Sequence, residues 1–295
     1  MTDLVTLARE SLFEEGAVVL VSLVEVSGST YRKTGARMMV TSNQTLGLMS
    51  GGCLEEEIAR KCRPLLLGEE RFLRLDIDTR QFLGCDGRLG LWCERVEHGF
   101  LKSVARVREQ RRALYCNTYP DSDRPSTISE ESDPAAFHEL LLPPRRVLVF
   151  GSAPDSQPLL SLCRSMEWEA EQIVLASDPN ATANSAIKVL AQSAHISKLG
   201  VDSTTACVVM NHHFGRDLEL LHALWQSSTL FLGLLGSRRR RDELLEQLAL
   251  MDVNLESREL FAPVGLSLGA EGPHEIALAI CAQIMQVFNL SEKQS

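Results

Sequence analysis

A chain of 295 residues is long for a single core and leads us to expect two domains. Its 44% hydrophobic and 23% charged residues are an ordinary soluble balance, and a net charge of −9 argues against a general nucleic-acid binder, which needs clustered Lys and Arg. Met1 to Glu15 is amphipathic rather than an apolar signal, and no apolar stretch is long enough to span a bilayer, so the expectation is a cytoplasmic protein whose eight cysteines are mostly reduced.

Leu4, Leu7, Ala8 and Leu12 fall at helical spacing and predict an opening helix. Ala17 to Val26 is a β-branched apolar run and reads as a buried strand. The polar loop from Gly28 to Gly35 follows, then strands over 36–41 and 46–49. Ser50-Gly51-Gly52-Cys53 leads into a helix-forming run from Leu54 to Leu67, with Glu55, Glu56 and Glu57 in its first turn and Gly68 as its C-cap. Strands are expected over 72–77 and 91–94, separated by a second glycine-and-cysteine loop, Gly84-Cys85-Asp86-Gly87. A helix over 101–110 and an edge strand over 113–117 complete this part.

From Tyr119 to Pro134 prolines, serines and acids replace the apolar periodicity, the composition of a linker. The expected division is therefore an N-terminal α+β domain over 1–118, a linker over 119–144 and a C-terminal domain over 145–295. Strands at 146–150, 172–176, 207–210 and 230–235 alternate with helices at 159–166, 217–226, 242–250 and 275–288. That alternation predicts a Rossmann-like, doubly wound parallel sheet, so the fold class is α/β.

The Gly-Gly-Cys stretch reads as a ligand loop that presents a reactive sulfur. Gly51 and Gly52 leave backbone N–H groups for an anion, and a thiol at a helix start has its thiolate stabilised by the dipole. The competing reading makes the glycines a simple turn and Cys53 a small buried hydrophobe. Cys85 shares the glycine-flanked setting, whereas Cys62, Cys93, Cys163, Cys207 and Cys281 lie in apolar segments and are expected in the core. Arg32, Lys33 and Arg37 are cations that could neutralise a phosphate or an oxo-anion.

In the second half, Gly151-x-Ala153-x-x-Ser156 occupies the place of a dinucleotide fingerprint but keeps only its first glycine. Asp178 ends the second strand, where an acid would meet a ribose hydroxyl. The fold's context suits NAD(P), and the missing glycines at Ala153 and Ser156 argue against it. Gly236-Ser237 lies between a strand and a helix, where its N–H groups could cradle a phosphate beside Arg238. The four arginines oppose the helix dipole unless an anion or an acidic partner is near. Adjacent His212 and His213 point to opposite faces and are poor joint metal ligands.

Taken together, the motifs resemble those of the XdhC/CoxI family. Gly28-Ser29-Thr30-Tyr31-Arg32-Lys33-Thr34-Gly35-Ala36-Arg37-Met38, Ser50-Gly51-Gly52-Cys53-Leu54-Glu55 and Gly84-Cys85-Asp86-Gly87 carry the likeness in the first half. Leu235-Gly236-Ser237-Arg238-Arg239 and Ala262-Pro263-Val264-Gly265-Leu266 carry it in the second. Asp86 stands where the family pattern has a glycine, and Ser152-Ala153 replaces its Ala-Gly. The resemblance implies a chaperone without turnover chemistry of its own. Such a protein would bind molybdenum cofactor (a molybdopterin), assist its sulfuration with a cysteine desulfurase and deliver it to an apo molybdenum hydroxylase of the xanthine dehydrogenase type. It makes Cys53, and secondly Cys85, the candidates for contact with molybdenum, and Arg32 and Arg37 the candidates for oxo or phosphate oxygens. The alternatives are an NAD(P)-dependent oxidoreductase using the second domain and a protein-binding adaptor. A homodimer is a common state for such folds.

Overall fold

The structure is a computed structural model that describes residues 3–81, 87–181 and 187–291. The chain divides into two compact units, Met1–Pro143 and Pro144–Ser295.

The first unit runs α1 (Leu4–Ser11), β1 (Val18–Gly28), β2 (Arg37–Val40), β3 (Thr45–Leu46), α2 (Glu55–Lys61), α3 (Arg63–Leu67), β4 (Phe72–Asp78), β5 (Gly87–Val96), α4 (His98–Gln110), β6 (Leu114–Thr118), β7 (Thr127–Ser129) and β8 (Phe137–Leu141). Its main sheet is antiparallel, in the order β3-β2-β1-β5-β4. Side chains alternate across it, so each strand feeds two cores. Val19, Val21, Met38 and Cys93 meet Leu54, Ile58 and Leu65 on one face. Leu20, Met39 and Val96 meet α1, α4 and the small sheet β7-β6-β8 on the other.

Two expectations change here. The helix expected over 54–67 is two short helices that meet at Cys62. Pro64, which has no N–H to continue a ladder, sits in the first turn of α3, and Gly68 closes that helix at φ 79°. The segment 119–144, expected as a linker, contains β7 and β8, which flank β6 and lie in the first unit. They are held by a buried cation: Arg37 of β2 reaches Glu139 of β8 at 3.1 Å.

The second unit runs β9 (Arg146–Phe150), α5 (Ser156–Ser165), β10 (Glu169–Leu175), β11 (Ile187–Leu190), β12 (Thr205–Val209), α6 (Phe214–Trp225), β13 (Phe231–Leu234), α7 (Arg238–Leu250) and α8 (Pro273–Ser291). The sheet is parallel, in the order β11-β10-β9-β12-β13, and β11 is a strand the apolar pattern does not announce. Leu159, Leu160, Ile280 and Ile284 of α5 and α8 cover Val147, Val149 and Val208. Leu220, Leu221, Leu244 and Leu248 of α6 and α7 cover Leu148, Phe150 and Val209. The sheet is therefore doubly wound. The chain grows one way from β9 through β10 and β11, then returns to β12 on the other side. The switch point lies at the carboxyl ends of β9 and β12, where such sheets hold ligands. Among the described residues, no helix is long and apolar enough to cross a membrane.

Candidate functional site

The topology of the first unit carries its glycine motifs to one end of the main sheet. β1 leaves the sheet there into the 28–36 loop, β3 leads there into the 47–54 loop, and β4 turns there into β5. Gly28 is the cross-strand partner of Gly87. A Cβ on Gly87 would stand 2.7 Å from the Ser29 carbonyl oxygen and 2.6 Å from Thr30 Cγ2, so this glycine lets the first motif loop lie against the start of β5. Gly84, Cys85 and Asp86 lie outside the described residues.

The Gly-Gly-Cys loop is built around Ser50 and Glu55, neither of which the motif pattern marks as a site residue. Ser50 Oγ accepts from the N–H groups of Gly52, Cys53 and Leu54 at 3.1, 3.1 and 3.2 Å. The same hydroxyl is 2.8 Å from Glu55 Oε2 and donates to that carboxylate. Glu55 Oε1 in turn accepts from the N–H groups of Met49 and Ser50 at 2.9 and 2.8 Å. Burial pushes the Glu55 carboxyl up, but the backbone and hydroxyl hydrogen bonds from Ser50 outweigh it and hold the carboxyl below its ordinary value. The N–H groups of Gly52, Cys53 and Leu54 are thus turned inward onto Ser50 rather than left for an anion. Gly51 and Gly52 stand in the open, with nothing within 4 Å of a Cβ added to either, and Gly52 has φ 105°. The loop displays Cys53, the one exposed thiol among the described cysteines.

The other described cysteines are buried, Cys62, Cys93, Cys163, Cys207 and Cys281 as expected and Cys116 with them. Burial pushes Cys207 up to about 12. A hydrogen bond with Cys62 and burial raise Cys93, and burial raises Cys116. Cys163 and Cys281 lie 3.6 Å apart, sulfur to sulfur, inside the second unit.

Arg32 and Arg37 part company. Arg32 is half-buried, its guanidinium lies 5.3 Å from the Tyr31 ring centroid, and its buried Nε has no hydrogen-bond partner. Tyr31 and Lys33 beside it are exposed. Arg37 is 4% exposed and fully engaged: it donates to Ser22 Oγ, Thr118 Oγ1 and the Glu139 carboxylate. It lies on the sheet face away from Leu54 and Ile58, because its β2 neighbour Met38 points to the core those residues share. The expectation that Arg37 holds ligand oxygens is corrected: its charge ties the small sheet to the large one. A cavity of about 380 Å³ near this end of the sheet is lined by Glu25, Asp76 and Asp78 as well as Arg88, a poor setting for an anion.

In the second unit, Gly151 has φ 143°, and a Cβ there would stand 2.4 Å from the Met210 carbonyl oxygen. The glycine is required by the neighbouring strand, with no ligand needed to explain it. Asp178 is 4% exposed, and Ser152 Oγ donates to it at 3.0 Å while the Asn180 N–H donates at 2.9 Å. The carboxylate expected to meet a ribose hydroxyl is therefore taken by the serine that replaces the family's alanine. Ser237 caps α7 by accepting from the Arg240 N–H at 3.2 Å. Arg240 pairs with the fully buried Asp217 at 2.5 Å, Arg239 with Glu243 at 2.8 Å and Arg241 with Asp242 at 2.6 Å. These acids answer the arginine cluster at the helix start, and Gly236 and exposed Arg238 stand at its open edge. Among the described residues, no group of His, Cys, Asp and Glu is arranged to hold a metal ion.

Comparison with known proteins connects both units to one group. The model of the XdhC and CoxI family matches residues 12–76, and that of the XdhC Rossmann domain matches residues 147–284. The chain is 26% identical to a Bacillus subtilis protein described as a probable subunit of xanthine dehydrogenase, over 95% of this chain and 96% of that protein. It is 25% identical to the molybdenum cofactor insertion chaperone PaoD of Escherichia coli, over 98% of this chain and 89% of that protein. A crystal structure described as a xanthine dehydrogenase from Bacillus halodurans has the same fold, with a TM-score of 0.75 at 23% identity over 97% of this chain and 96% of that one.

Proposed function

This chain belongs to the XdhC and CoxI family, and we propose that it is a chaperone that binds molybdenum cofactor and delivers it to a molybdenum hydroxylase of the xanthine dehydrogenase type. The observation that carries this reading is the stapled Gly-Gly-Cys loop, which holds an exposed thiol at the sheet end where the other glycine motifs converge. The donor chemistry fits the cargo. A thiolate is a soft ligand suited to molybdenum, and Arg32, with an unpartnered Nε, supplies a guanidinium for oxo or phosphate oxygens. Cys53 and Arg32 would hold the cofactor, and its chemistry would be expressed only in the receiving enzyme. An exposed thiol also suits a protein that meets a cysteine desulfurase while the cofactor is sulfurated. The relative named as an insertion chaperone supports delivery as the role.

The test is anaerobic titration of the reduced protein with molybdenum cofactor, beside Cys53→Ala and Arg32→Gln. Saturable binding that weakens in both variants is expected. Binding unchanged in both would remove the site from this loop, and no binding by wild type would end the chaperone reading. An NAD(P)-dependent oxidoreductase is disfavoured by the Ser152–Asp178 pair, which occupies the carboxylate a ribose would need. Nicotinamide cofactor retained by the pure protein would revive it.

A further inference from the structure

The second unit holds a contact that the chaperone reading does not use. Cys163 on α5 and Cys281 on α8 lie 118 residues apart in the chain, and their sulfurs stand 3.6 Å apart. Both belong to the core that α5 and α8 form over Val147 and Val149, at 0% and 2% exposure. The hydrogen bond between the two thiols raises Cys163 and lowers Cys281, so Cys163 is the donor and Cys281 the sulfur with more thiolate character. A disulfide needs sulfurs about 2.05 Å apart, so a pair at 3.6 Å has roughly 1.5 Å to close, within reach of side-chain rotation.

Two features around the pair give that bond a route and a consequence. A groove of about 680 Å³ is lined by Pro158, Ser161 and Leu162 of α5 and by Ala277 and Leu278 of α8. Leu162 adjoins Cys163 and Ala277 lies one turn before Cys281, so solvent comes within a turn of each thiol. The consequence runs through α8. Gln283 Oε1 accepts from the Gly265 N–H at 2.7 Å, and the Ala279 carbonyl accepts from the Leu266 N–H at 3.1 Å. The helix that holds the 262–266 motif loop thus carries Cys281 between its two points of attachment.

We propose that Cys163 and Cys281 are an oxidation site, where a peroxide turns the pair into a disulfide that clamps α8 to α5 and fixes the 262–266 loop. The Cys281 sulfur attacks hydrogen peroxide. An S–O bond forms, the O–O bond breaks, and the released hydroxide leaves as water with the Cys281 proton. The Cys163 sulfur then attacks the Cys281 sulfenic acid. The S–S bond forms, the S–O bond breaks, and hydroxide leaves as water with the Cys163 proton. Two thiols and one peroxide become one disulfide and two waters, and a dithiol reductant, itself oxidised, restores the thiols. The site uses neither Cys53 nor the cofactor, so it goes beyond the chaperone reading.

The experiment is treatment of the reduced full-length protein with hydrogen peroxide, alkylation of the remaining thiols and peptide mapping by mass spectrometry. A Cys163–Cys281 linked peptide is expected, about 2 Da lighter than its two thiol peptides together and removed by dithiothreitol. The oxidised protein should melt roughly 5–10 °C higher than the reduced one. Hydrogen exchange at the Gly265 and Leu266 amides should slow about tenfold or more. Cys163→Ala and Cys281→Ala should each lose both responses. Cys62 and Cys93 are the internal comparison: they share a hydrogen bond, but Cys93 lies on β5, held between β1 and β4, and should stay reduced. The mapping is read on the wild-type chain, so a variant that fails to fold does not affect it. No linked peptide in wild type, a linkage that leaves melt and loop exchange unchanged, responses that persist in either variant, or a bond at Cys62–Cys93 in its place would each overturn the proposal.

Discussion

One hydroxyl and one carboxylate shape the thiol loop. Ser50 Oγ gathers three N–H groups, and Glu55 fixes Ser50, so Ser50→Ala orphans donors beside a buried carboxylate. A loss of about 1–3 kcal/mol in urea unfolding is expected, together with faster alkylation of Cys53 as the loop loosens. A variant as stable as wild type, with the same alkylation rate, would show that the staple carries no weight. Glu55 also predicts a pH dependence. Its folded pKa is lowered, so its contribution is present above the unfolded value of about 4.3 and lost as pH falls through the folded value. Glu55→Gln should melt below wild type at pH 7 and show a shallower decline below about pH 4; parallel melting curves across that range would contradict the assignment. At Gly151 the constraint is steric: Gly151→Ala brings a methyl to 2.4 Å from the Met210 carbonyl oxygen and should cost roughly 1–3 kcal/mol with or without ligand.

Helix α7 begins with four arginines, against its own dipole, and the structure shows why it forms. Arg240 anchors it to Asp217 of α6, which has no exposed surface. Arg240→Met leaves that carboxylate with only the Asn211 amide and should cost roughly 3–5 kcal/mol, whereas Arg238→Ala, at an exposed position, should stay within about 0.5 kcal/mol. Thermal melts of the two variants decide the point: equal effects would mean that the cluster acts through net charge rather than through one pair. The anchor illustrates what sequence conveys at this scale. Arg146 to Phe150 and Cys207 to Val209 announce buried parallel strands, because continuous apolar runs have few other uses. Strands β7 and β8 do not, since one is three residues long and the other places Glu139 among apolar neighbours. Glycine and cysteine marked the thiol loop itself. The inward turn of its N–H groups, the burial of Arg37 and the meeting of Cys163 with Cys281 arise from contacts distant in the chain, and no local pattern encodes them.

At the scale of the whole chain, each unit closes its own cores. The clusters around β1 and β5 draw only on the first unit, and those around β9 and β12 only on the second. A fragment over 144–295 should therefore fold alone with one cooperative transition, and so should a fragment over 1–143. The informative cut is the one composition suggests, after Thr118. It removes β7 and β8, and with them Glu139, the carboxylate paired with Arg37, and Ser126, which donates to Glu94 at 2.6 Å. Arg37 and Glu94, 4% and 2% exposed in the intact unit, would then lose those partners. The cut also takes Leu141 and Ile128 out of the core beside α1 and α4, and a small domain has little stability to lose. The 1–118 fragment should accordingly lack a cooperative melt under conditions where 1–143 shows one, read by circular dichroism on both. If 1–118 melts like 1–143, then residues 119–143 are a connector after all and the Arg37–Glu139 pair is incidental to the fold. If only 1–143 melts, the proline- and serine-rich stretch is a structural part of the unit that presents Cys53.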